Sequence, residues 1–110
     1  MIRGASHLHK FYISLDIETL QGIEATYSQN GQNILIKTEA DMDYNSVDEC
    51  ITINLSQDDT LKFAPVGIPA TVKESLVTIQ FKFLDINGNV YVSQPIRERL
   101  YDVLHDEVMV

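Results

Sequence analysis

His7 and His9 stand two residues apart near the start of the chain, and the third histidine, His105, lies near its end. On an extended strand a spacing of two puts both imidazoles on one face. Two imidazoles with a third ligand can hold zinc or nickel, but nothing in the sequence places His105 or the lone Cys50 beside this pair. The pair therefore reads as ordinary strand histidines, and neither a metal nor a cofactor is expected. Cys50 follows Asp48 and Glu49, whose negative charges make a thiol a poorer nucleophile. It reads as a small half-buried hydrophobe. Glu39, Asp41, Asp43, Asp48 and Glu49 form an acidic run, yet general acid–base pairs need a cleft and perturbed pKa values. A polar loop supplies neither. Asp85-Ile86-Asn87-Gly88-Asn89 has part of a calcium loop's composition, but Val90, Tyr91 and Val92 add no further oxygen ligand. Ser6, Ser14, Ser28 and Ser56 lie in no nucleophile-elbow pattern, and there is no glycine-rich phosphate loop. The expectation is a protein that is not an enzyme.

The charge balance narrows the partners. Sixteen acids against eight Lys and Arg give a formal charge of −8. Such a surface is repelled by nucleic acid and by anionic membranes and attracts basic proteins. Arg97 and Arg99 are too few to reverse this. Met1-Ile2-Arg3-Gly4-Ala5-Ser6-His7 has no apolar core of the kind a signal peptide needs. No stretch approaches the roughly 18 apolar residues of a membrane span. The absence of any internal disulfide suits a reducing compartment.

The elements around these residues read as β-strands. The chain of 110 residues is the size of one domain, 1–110, with enough apolar content for a core. His9, Phe11, Ile13 and Leu15 alternate in a first strand, about 7 to 15. Ile23, Ala25 and Tyr27, then the Asn30-Gly31 turn, then Ile34 and Ile36, make a hairpin from about 21 to 38. The acidic run from Thr38 to Glu49 reads as a loop. Ile51, Ile53 and Leu55 form a fourth strand. Ser56-Gln57-Asp58-Asp59 carries a helix-start signature, with a serine cap and acids at the positive end, and predicts a short helical turn near 56–62. Val77, Ile79, Phe81 and Phe83 give the longest alternation. It is followed by the Asn87-Gly88 turn and by Val90 and Val92, which are expected to point inward. After Pro95, Ile96, Leu100, Val103 and Leu104 have helical spacing, while Arg97, Arg99, Tyr101 and Val103 fit one face of a strand. Six or seven short strands with turn chemistry between them predict an all-β antiparallel sandwich.

Several segments resemble a family of small uncharacterised proteins from prophages of Gram-positive gut bacteria. They are Met1-Ile2-Arg3-Gly4 with His7 and His9, Tyr27-Ser28-Gln29-Asn30-Gly31, Leu55 to Phe63, and Val103 to Met109. A looser similarity, over residues 51 to 103, is to the immunoglobulin-like N-terminal domain of phage baseplate upper proteins. There a Leu-Ser/Thr-x-x-Asp-Thr turn precedes a long strand and an Asp-x-x-Gly-x-Val hairpin. This resemblance implies an immunoglobulin-like sandwich whose last strand covers about 96 to 103. A baseplate protein has a large C-terminal part without counterpart here, so its role in receptor assembly does not transfer.

The resemblance brings a phage context and little function; with the all-β pattern and the absence of catalytic motifs, the expectation is a small non-enzymatic phage or prophage structural or accessory protein that acts by protein–protein contact in virion assembly. Its partners would be phage structural proteins or further copies of itself, and its place the virion or the bacterial host cytoplasm. The alternative is an inhibitor of a host defence protein that presents its acidic surface to a basic groove. Edge strands at about 7 to 15 and 96 to 103 are the expected templates for pairing. Phe11, Tyr44, Tyr91, Leu100, Val108 and Met109 are the expected contact residues.

Overall fold

The structure, a computed structural model, describes residues 1–14, 16–64 and 74–101. Each apolar alternation within them becomes a strand. β1 is His7–Tyr12, β2 Leu20–Gln29, β3 Gln32–Thr38, β4 Met42–Asn45, β5 Cys50–Leu55, β6 Glu74–Asp85, β7 Val90–Val92 and β8 Ile96–Tyr101. One short helix, α1 (Gln57–Leu61), follows β5. The strands form two antiparallel sheets. One has the order β1-β5-β4; in the other β3, β2 and β6 are neighbours, and β7 and β8 both pair with the far side of β6. The chain is an all-β antiparallel sandwich, with eight strands among the described residues.

The inner faces meet in one core. Ala25, Tyr27, Ile51, Ile53, Leu55, Val77, Ile79 and Phe81 are fully buried. Phe11 of β1 meets Phe81 of β6 edge to face, with ring centroids 5.0 Å apart, an arrangement that suits the ring quadrupoles. Asn30 and Gly31 take φ of 53° and 77° between the paired Gln29 and Gln32. This is the two-residue turn whose twist matches its strands. At α1 the Ser56 side chain accepts from the Asp59 amide at 3.1 Å, and Asp59 accepts from the Ser56 amide at 3.0 Å. That reciprocal cap satisfies two otherwise orphaned donors.

Three expectations change. The acidic segment is not all loop: a 3-10 turn over Glu39–Asp41 leads into β4, where Met42 and Tyr44 are half-buried and Asp43 and Asn45 exposed. Ile36 is exposed because a bulge breaks the β2–β3 register: Tyr27 pairs with Leu35 and Ser28 with Asn33. The unpaired Ile34 shifts the phase, so Leu35 is buried in its place. Val90 and Val92 are exposed as well. They sit opposite Leu84 and Lys82, and residues directly opposite share a face. The five-residue connection Asp85–Asn89 preserves parity, so odd positions face inward on both arms. The tail is a strand through Tyr101; positions 102 and 103 lie outside the described residues.

The N-terminal segment is tied to two elements far along the chain. Ile2 bridges Tyr101 in parallel. The Arg3 amide donates to the Tyr101 carbonyl at 2.8 Å, and the Tyr101 amide to the Met1 carbonyl at 2.9 Å. Thr60 of α1 accepts from the Gly4 amide and donates to the Ala5 carbonyl, both at 3.0 Å. The bonds to Tyr101 occupy part of the outer side of β8.

Candidate functional site

Two surfaces bear on function. The first is the outer face and open edge of the larger sheet. Glu24 pairs with Lys82, and Lys82 with Val92, so the three lie in one row on the solvent side. Thr26 pairs with Ile36 and with Gln80 in the next row. Ile36 and Val92 line one shallow hollow of this face, and Leu84 and Val90 line another. Ile36, Leu76, Val90 and Val92 are each more than half exposed, at 52–56 %. At the rim, β7 has β6 as its one strand partner among the described residues, and Val90, Tyr91 and Val92 are all exposed. An edge of β-branched and aromatic residues without a charge is a template for strand addition.

Of the six expected contact residues, the four that are described lie apart. Tyr91 is exposed on β7, on the inward phase, with its hydroxyl 3.4 Å from Asp85 Oδ2. Tyr44 is half-buried and lines a hollow with Leu20, Ile23, Met42 and Ile51, so it is a wall of the sandwich end rather than a free anchor. Phe11 and Leu100 are corrections: both are buried in the core. Phe11 packs on Phe81, and Leu100 sits opposite Ser75 on the inward phase of β8. Val108 and Met109, like His105, lie outside the described residues. Of the two expected edges, β1 is an outer strand of its sheet, while β8 is partly covered by the N-terminal segment. The barest edge strand, β7, follows from the register and not from proximity to a terminus.

The second surface is where the two sheets meet at β1 and β8. The inward phase of β8 runs Ile96, Glu98, Leu100, opposite Ile79, Val77 and Ser75 of β6. Glu98 is thus a carboxylate on a core-facing phase, and His7 and His9 on β1 are its partners. His7 Nε2 is 3.4 Å from Glu98 Oε1, and His9 Nε2 is in ion-pair contact with Oε2. The Met1 amine is also 3.4 Å from Oε1. His9 is buried, at 4 % exposure. Its Nδ1 lies 2.9 Å from the Tyr27 hydroxyl, and its ring stacks on that of Tyr27 with centroids 5.6 Å apart. His9 Nε2 makes no hydrogen bond of ordinary geometry.

The local fields follow from this packing. Burial pushes the Glu98 carboxyl up, but the His9 contact, the Met1 amine and His7 outweigh it and hold the carboxyl below its usual range. Burial, together with the neighbouring His9, lowers the His7 pKa. Burial raises the Tyr27 phenol far above its ordinary value, with help from Glu98 and Asp59, so it stays a neutral hydroxyl. Sequence spacing shows the His pair but not its carboxylate. Only the pairing of β8 with β6 turns Glu98 inward, toward a strand some 90 residues away.

No family model, no curated protein and no solved structure matches the chain. No described helix is long and apolar enough to cross a membrane.

Proposed function

We propose that this is a small non-enzymatic phage or prophage accessory protein that acts by protein–protein contact in virion assembly, through β7 and the outer face beside it. One observation carries the reading: β7 is, among the described residues, an outermost strand whose three residues, Val90, Tyr91 and Val92, are all uncharged and all exposed. Natural sheets usually protect such an edge with charge, proline or a covering segment. Here the neighbouring face adds Ile36 and Leu84 in shallow hollows. The partner is a phage structural protein or a second copy of the chain. The phage setting rests on the sequence resemblance. Analytical ultracentrifugation together with pull-down from infected cells tests the contact. Concentration-dependent association or recovery of a phage structural protein supports it. A strict monomer that recovers no phage protein contradicts it.

A second reading is favoured by the other sheet. Glu39, Asp41, Asp43, Asp48 and Glu49 are all exposed around β4, a concentration of negative charge suited to a basic protein groove. In this reading the chain inhibits a host defence protein. Its mark is a salt-sensitive complex with a host nuclease, formed before lysis.

A further inference from the structure

We propose that His7, His9 and Glu98 form a binding site for a divalent transition-metal ion of the zinc class, which clasps the two sheets together at β1 and β8. The donor atoms of the three side chains all lie within 4.8 Å of one another. Two donors at zinc-ligand distance in a tetrahedral arrangement are about 3.3 Å apart, and His7 Nε2 and Glu98 Oε1 are 3.4 Å apart. The second observation is independent of that spacing. His9 Nε2 is buried, has no hydrogen bond of ordinary geometry, and faces the carboxylate. In the tautomer whose Nδ1 proton is donated to the Tyr27 hydroxyl at 2.9 Å, the Nε2 lone pair faces Glu98, and a cation bound by both groups, moved apart to admit it, relieves the repulsion. A hydrogen bond from the far nitrogen is how metal-binding imidazoles are commonly oriented. Tyr27 does this from β2, in the core of the opposite sheet.

The ligand chemistry selects the ion. Two imidazoles and one carboxylate suit zinc, nickel, copper or ferrous iron, and they do not suit calcium or magnesium, which take oxygen ligands. The His7 side chain is 30 % exposed and that of Glu98 26 %, so solvent can reach the ion and complete its coordination. The competing arrangement is one in which a protonated His9 and the Met1 amine, 3.4 Å from Oε1, already hold the carboxylate, with no affinity for metal.

The experiment uses the full chain without a histidine tag, stripped with chelator and titrated with zinc by calorimetry, then by thermal unfolding. One ion per chain is expected. At zinc concentrations about a hundredfold above Kd, Tm should rise on the order of 10 °C. Cobalt should give the visible bands of a four- or five-coordinate site. His7→Ala changes a partly exposed side chain and leaves the core alone, so it should fold and lose most of the response. Glu98→Gln should lose it too. No zinc binding by the folded wild-type chain overturns the proposal, as does an undiminished response in His7→Ala. Either result leaves the contact surface at β7 untouched, because the two sites share no residue.

Discussion

The strand β6 has two different neighbours along one side, and its two halves differ accordingly. From Glu74 to Ile79 it pairs with β8, whose inner residues are buried or clasped: Leu100 lies in the core and Glu98 meets both histidines. The outer side of β8 is then partly taken by Met1, Ile2 and Arg3. From Lys82 to Leu84 it pairs with β7, where every residue is exposed. Half of one sheet margin is closed by chain that returns from the N-terminus, and half is left open. A protein that needed only to be stable would gain from closing both. The difference is the physical basis for assigning contact to β7 and clasping to β8.

The largest effect should come from the strand that both halves share. Phe81→Ala removes a fully buried ring that packs on Phe11 and should cost roughly 3–5 kcal/mol, as large-to-small core changes do. Urea denaturation measures it, and an unchanged midpoint would show that the core does not run the length of β6. Next is the turn into β7. Gly88 has φ of 84° with open space around its Cβ position, so Gly88→Val suffers from conformation and not from collision. About 1–2 kcal/mol is expected, against at most about 0.5 kcal/mol for the outward Thr78→Val. Equal losses would mean that this turn is not held in the left-handed region.

A smaller, pH-dependent effect tests a part of the molecule outside the comparison. Burial raises the Asp59 carboxyl, but the Lys37 hydrogen bond at 2.8 Å, the Ser56 amide and the Lys37 charge outweigh it, so its pKa falls below the ordinary 3.8. A carboxyl depressed in the folded state adds stability that is present above its unfolded pKa and lost as pH falls through the folded one. Asp59→Asn should therefore flatten the stability curve below about pH 4. Parallel acid limbs for the two proteins would remove Asp59 from the cap.

Much of the fold was legible because alternation and caps are local. Val77 to Phe83, the Asn30-Gly31 turn and the Ser56 cap all behave as their spacing requires. What the sequence concealed depends on pairing. The phase of β7 turned on whether its connection had an odd or even number of residues. Ile36 was displaced by the bulge at Ile34. β4 was hidden because the acidic run around it masks the short alternation of Met42 and Tyr44, which was the available signal. Glu98 beside His7 and His9 depends on the register of β8, which no short-range pattern encodes.

The smallest expected effect on stability belongs to the variant that matters most for function. Val90→Lys with Val92→Lys places charge on an exposed edge and should change monomer stability by no more than about 0.5 kcal/mol per site. The most direct test expresses the chain and this double variant in a prophage-carrying host and quantifies each in purified particles by mass spectrometry. The account predicts the wild-type chain at a fixed copy number per particle and the folded variant reduced severalfold or lost. Absence of the wild-type chain from particles, or equal incorporation of the two, would contradict assembly through β7.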